Sequence, residues 1–89
     1  MTDTRRVEAA IRQLRAEIDT LAGRDEEARQ RLDRLVQDIE ATLAEPKPTA
    51  AKEGLAGRVQ ASVLGFEVSH PRVAAVMNEL VEQLGSMGI

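Results

Sequence analysis

Glu67-Val68-Ser69-His70 sets a carboxylate and an imidazole three residues apart. On a helix that spacing puts both groups on one face, as in carboxylate-bridged di-iron proteins, where Glu-x-x-His pairs on facing helices share two metal ions. Here a site would need a second copy of the chain and further carboxylates, for which Glu40 and Glu79 are candidates. Against the metal stands the position of His70, which precedes Pro71 and so falls at a helix end. Two fixed positions in four residues also recur often by chance. The plainer expectation is that Glu67 and His70 bond locally and help set a turn, with no metal or other cofactor bound; metal binding through Glu67 and His70 is the runner-up.

Nucleophilic catalysis has less to work with. The chain has one histidine, no cysteine and no Gly-x-Ser-x-Gly turn, and its six glycines are too scattered to cradle a phosphate. Ser69 reads better as a cap for the helix that follows. No enzyme is expected.

The elements that would carry these residues follow from apolar spacing. Val7, Ile11, Leu14, Ile18 and Leu21 recur at alternating intervals of four and three, a narrow helical seam. Thr2, Asp3 or Thr4 can cap its start, and Gly23 can end it, so the first helix spans about residues 4–22. Asp25 caps a second helix with Glu26 and Glu27 in its first turn, a seam of Ala28, Leu32, Leu35, Ile39 and Leu43, and an end before Pro46. Two helices joined this closely run antiparallel, giving a coiled-coil-like hairpin over residues 4–44. Leu21 then faces Ala28, Ile18 faces Leu32, Leu14 faces Leu35, Ile11 faces Ile39 and Val7 faces Leu43.

Residues 45–53 hold two prolines and no large apolar residue, and read as an extended, mobile linker. Residues 54–85 become helical again, with Leu55, Val59, Val63 and Phe66 on one face of a third helix. Gly57 and Gly65 inside it each cost about 1 kcal/mol relative to alanine. After the Ser69-His70-Pro71 break a fourth helix carries Val73, Val76, Met77, Leu80, Val81 and Leu84. The break is short, which predicts that these two helices meet at a corner. The fold class is all-α, in a single domain.

At 89 residues and 9.7 kDa, with thirteen alanines and Phe66 as the sole aromatic residue, one small aliphatic core must hold the chain. Leu64 and Val68 lie off the third helix's main seam, and the apolar arc of the fourth is broad. Apolar surface on two sides of a helix calls for two partners. The sequence therefore predicts a homo-oligomer, with a dimer favoured, whose interface is Leu55, Val59, Val63, Leu64, Phe66, Val68, Val73, Val76, Met77, Leu80, Val81 and Leu84. A helical partner protein is the other occupant this surface would accept.

Charge narrows the partners further. The net charge of −3 gives no general attraction to phosphate backbones. The arginines of the first two helices are interleaved with acids, and Glu8 with Arg12, Asp25 with Arg29 and Glu27 with Arg31 stand at i, i+4, the pattern of a solvated face. The longest apolar run, Val73 to Met77, is five residues, against roughly 20 for a bilayer span. Neither nucleic acid nor membrane is expected as a partner. The absence of cysteine and of a signal-like N-terminus points to the cytoplasm.

Phe66-Glu67-Val68-Ser69-His70-Pro71, the leucine- and valine-bearing helix after it and the Leu84-Gly85-Ser86-Met87-Gly88-Ile89 ending resemble a family of small uncharacterised bacterial helical proteins, domain of unknown function 4404. The resemblance covers nearly the whole chain and is most specific in the Phe-Glu-x-x-His-Pro segment and the Gly-Ile end. It implies a short cytoplasmic bacterial protein, and it brings no catalytic residue. It also singles out Glu67, His70 and Pro71 as a defining feature of the chain.

Overall fold

A computed structural model describes residues 4–46 and 50–89. Four longer helices and one single-turn helix follow in the order α1 (Thr4–Asp19), α2 (Glu26–Leu43), α3 (Ala50–Glu53), α4 (Leu55–Val63) and α5 (Pro71–Ser86). Among the described residues there is no strand. The cap candidates Thr2 and Asp3 lie outside the described residues, as do residues 47–49 of the expected linker.

The helix ends follow from their local chemistry. α1 tightens past Asp19 into i→i+3 bonds, Thr20 N to Glu17 O and Leu21 N to Ile18 O, before Gly23 turns the chain at φ +78°. Asp25 caps α2 as expected, its Oδ1 accepting from the Ala28 amide at 3.1 Å. Glu26 accepts both the Gly23 amide at 3.0 Å and the Arg29 guanidinium at 2.9 Å. α5 starts with Pro71 in its first turn and ends in a Schellman motif at Gly88 (φ +79°). There the Ile89 amide donates to Leu84 O at 3.0 Å and the Gly88 amide to Gly85 O at 3.0 Å.

Neighbouring long helices run antiparallel. Arg15 of α1 pairs with Glu40 of α2. Arg58 near the start of α4 pairs with Asp38 of α2 at 3.2 Å, while Arg31, two turns earlier in α2, lies over the Phe66 ring at 5.4 Å. Thr20 and Leu21 share a hollow with His70 and Pro71, and Arg6 and Ala10 share one with Glu79 and Gln83, so α5 runs back along α1. The result is an up-down-up-down arrangement in which α5 lies against both α1 and α4, the two most extensive helix contacts in the molecule. Its dimensions are 38 × 19 × 19 Å.

Three local readings differ from the sequence expectation. On α2 it is Val36, not Leu35, that is fully buried; Leu35 packs on the flank of the core. α2 has α4 beside it as well as α1, which rotates its buried stripe away from a pure two-helix seam. Within the expected linker, Ala50–Glu53 forms one helical turn, consistent with the high helix propensity of Ala-Ala-Lys-Glu. Finally, α4 ends at Val63, leaving residues 64–70 as the connection. That length lets α4 lie along α5 instead of crossing it at a corner. The Ala56 amide, in the first turn of α4, donates to Ile89 O at 2.7 Å, so the start of α4 meets the end of the chain.

Candidate functional site

The residues singled out at Phe66–Pro71 have separate structural roles. Tight i→i+3 bonds, Gly65 N to Ser62 O and Phe66 N to Val63 O, carry the chain past the end of α4 while keeping Phe66 buried. Its ring is roofed by Arg31, a cation–π contact that also moves Arg31 out of the purely solvated face expected for it. Pro71 opens α5, and His70 occupies the N-cap position without a side-chain capping bond; Ser69, expected as that cap, is exposed.

His70 does not bond to Glu67. Its Nε2 lies 2.8 Å from Oδ2 of Asp25, 45 residues away in the α1–α2 turn. A carboxylate only accepts, so the imidazole donates through Nε2. The imidazole is 19% exposed and the carboxylate 40%. Asp25 thus serves two elements at once: Oδ1 caps α2 and Oδ2 holds His70. The bond from His70, followed by that from the Ala28 amide, holds the Asp25 carboxyl below the usual carboxylate range. Asp25 was legible as a helix cap, but its second partner was not. Only the return of α5 along α1 brings the two turns to one end of the bundle.

These placements leave the metal reading without a ligand set in one chain. Glu67 is exposed beside a different hollow, with Gly57 and Asn78. Glu40 is taken by Arg15, and Glu79 borders Arg6 and Gln83. Among the described residues no three His, Cys, Asp or Glu side chains gather as a metal would need.

Of the twelve residues expected at an interface between copies, eight are buried by the chain's own helices: Leu55, Val59, Val63, Phe66, Val73, Met77, Leu80 and Leu84. Val76 and Val81 are partly buried against the same core. The surplus apolar surface of the last forty residues could be covered by the first hairpin or by another copy, and the expectation of a shared core takes the second course. α1 supplies the missing partner by lying along α5. Two of the twelve remain: Leu64 is 73% exposed and Val68 94%.

The ion pairs also differ from the helical i, i+4 pattern. Arg29 pairs with Glu26 at i, i+3, and Arg15–Glu40 and Arg58–Asp38 join separate helices. A groove of about 610 Å³ lies between the start of α1, the end of α2 and the tail. Its apolar floor is Val7, Ile11, Leu43, Met87 and Ile89, and its rim sets Arg12, Arg15 and Lys52 against Glu8 and Glu40.

In the outer face of α4 the charge pattern is different. Gly57, Gln60, Ala61 and Leu64 are all exposed, and none is charged, whereas the exposed faces of α1 and α2 are dense in arginine and acid. A shallow hollow of about 310 Å³ lies on this face beside Leu64, with Gly57 and Ala61 in its lining.

No helix among the described residues is long and apolar enough to cross a membrane. No curated protein and no solved structure matches the chain. The family model described as Domain of unknown function (DUF4404) matches residues 7–89, so the Phe66–Pro71 segment, its Asp25 anchor and the tail all lie within the match, and the chain belongs to this family.

Proposed function

We propose that the protein is a non-enzymatic interaction module of the cytoplasm that binds through the outer face of α4. One observation carries the reading: Leu64 and Val68 are the large apolar side chains left exposed among the described residues, Leu64 just past the end of α4 beside a hollow where Glu67 is the one charged lining residue, and Val68 in the connection to α5. Depletion of charge around exposed apolar anchors is the composition of an interface centre, not of ordinary solvated surface. The role of His70 and Asp25 is architectural in this reading, since both oxygens of the carboxylate are engaged in holding helix ends.

The test is photo-crosslinking in the cytoplasm, with a benzophenone amino acid placed at position 64 and, as a control, at position 12 on the charged face of α1. Crosslinks to a defined protein from position 64 and none from position 12 support the reading. Equal crosslinking from both positions, or none from position 64, overturns it.

A further inference from the structure

We infer that the occupant of this face is a basic amphipathic segment of another protein, which sets apolar side chains on Leu64 and Val68 and a lysine or arginine on Glu67. The inference rests on the proposed interaction role of this face and names the chemistry of its partner. Leu64 is 73% exposed and Val68 94%. Glu67 directly precedes Val68 and lines the hollow beside Leu64, where it is the one charged group. A partner that covers the two apolar side chains therefore covers this carboxylate as well. Taking it out of water is costly unless a cation meets it there.

The chain itself supplies no such cation. The Glu67 carboxylate has no ion pair among the described residues. Arg58 and Arg72 are the basic residues of positions 55–89, and both are directed elsewhere. Arg58 pairs with Asp38 of α2 at 3.2 Å, and Arg72 lines the hollow at the α1–α2 turn with Thr20 and Arg24. α5 adds acid on the same side. Asn78 lines the hollow beside Leu64, and Glu82, one turn further along α5, is exposed and has no ion pair among the described residues.

The same charge disfavours the other occupants. A second copy would bring another Glu67 and no basic residue beside it. Nucleic acid and an anionic lipid surface are repelled. A basic amphipathic helix answers both features, laying its apolar stripe on Leu64 and Val68 with its flanking cations toward Glu67 and Glu82. The apolar area is small, so the site is weak, with Kd on the order of 100 μM.

Titration of the full chain into two fluorescently labelled peptides of about 14 residues, read by anisotropy, tests the inference. Both carry leucines at helical spacing; one has lysine at the remaining positions and its twin has glutamate. The lysine peptide should bind about tenfold or more tighter than its twin. Leu64→Gln and Glu67→Gln should each weaken it about fivefold, and Glu67→Gln should also flatten its salt dependence. Glu8→Gln removes the same charge at the opposite end of the bundle, and should change affinity less than about twofold, which separates a local contact from attraction to a net charge of −3. All three positions are exposed, so melting temperatures should match the wild type. No binding of the lysine peptide at about 1 mM chain overturns the inference. So does equal binding of the two peptides, or a Glu8→Gln loss as large as that of Glu67→Gln. Crosslinks from position 64 that map to acidic or uncharged segments would leave the interaction role standing and remove the basic partner, whereas no crosslinks from position 64 would remove the interaction role itself.

Discussion

His70 Nε2 donates to Asp25 Oδ2 at 2.8 Å, and the same carboxylate caps α2 through the Ala28 amide. The α1–α2 turn and the α4–α5 turn are thereby tied together at one end of the bundle. The tie also gives the Phe-Glu-x-x-His-Pro segment a physical meaning. Phe66 fills the core, His70 anchors the turn, and Pro71 starts α5. Glu67 is exposed and outside this arrangement.

His70→Ala should lower stability by about 0.5–1.5 kcal/mol, the net contribution of one such hydrogen bond, as measured by urea unfolding. Asp25→Ala should cost more than His70→Ala, because it removes the cap of α2 as well. Asp25→Asn keeps an oxygen for the cap and should fall between wild type and Asp25→Ala. Equal losses from His70→Ala and Asp25→Ala would show that the cap contributes nothing.

Acid should destabilise the fold through two carboxylates. Asp25 is held below its usual range by His70 and the Ala28 amide, and Glu26 by the Gly23 amide and Arg29. A depressed value in the folded state means that the unfolded chain binds the proton first. The contribution is therefore present at neutral pH and is lost as pH falls below about 4 through the folded-state values. Unfolding free energy measured from pH 7 to pH 2.5 should decline over the acid end, and less steeply in Asp25→Asn. Parallel curves for wild type and variant would exclude Asp25 as a source.

Neighbouring positions in and after α4 should respond in opposite ways. Val63 is 2% exposed and Leu64 is 73% exposed. Val63→Asp should unfold the chain, as should Leu80→Asp, since each would put a charge in the aliphatic core. Leu80→Ala should cost about 2–5 kcal/mol through the cavity it leaves. Leu64→Asp should stay within about 0.5 kcal/mol of wild type. Circular dichroism melts distinguish these outcomes, and a folded Val63→Asp variant would contradict the burial assigned here.

Two glycines near the end of α5 should also part company. Gly85 has open space where a Cβ would stand, so Gly85→Ala should stabilise by up to about 1 kcal/mol. Gly88 sits at φ +79°, where an L side chain is strained, so Gly88→Ala should destabilise by about 1 kcal/mol. Thermal unfolding of the pair checks the sign of each change.

Much of this fold was legible in the amino-acid order, for reasons that differ by element. The α1 stripe is buried at every position the heptad spacing indicated, Val7 through Leu21, and Asp25 caps α2 where a short acidic side chain precedes a helical run. Spacing along one helix cannot say which helices lie beside it. That is why the spacing points to Leu35 instead of Val36, and why it points the apolar residues of α4 and α5 at a neighbouring copy when α1, α2 and the packing of α4 on α5 bury most of them. The partner of His70 was hidden for the same reason: it lies 45 residues away and depends on the course of α5. Leu64 and Val68, off the main seam of the third helix, are the two of these residues that stay exposed in a single chain.

The Ile89 oxygen seated on the Ala56 amide has a consequence for motion. α4 and α5 are joined covalently through residues 64–70 at one end and by this bond at the other, with the Gly88 turn aiming the tail. A hairpin clasped at both ends cannot fray one arm at a time. Its amide protons should accordingly trade with deuterium as one cooperative unit, and deleting Ile89 should divide that unit into a fast-exchanging α4 and a slower α5.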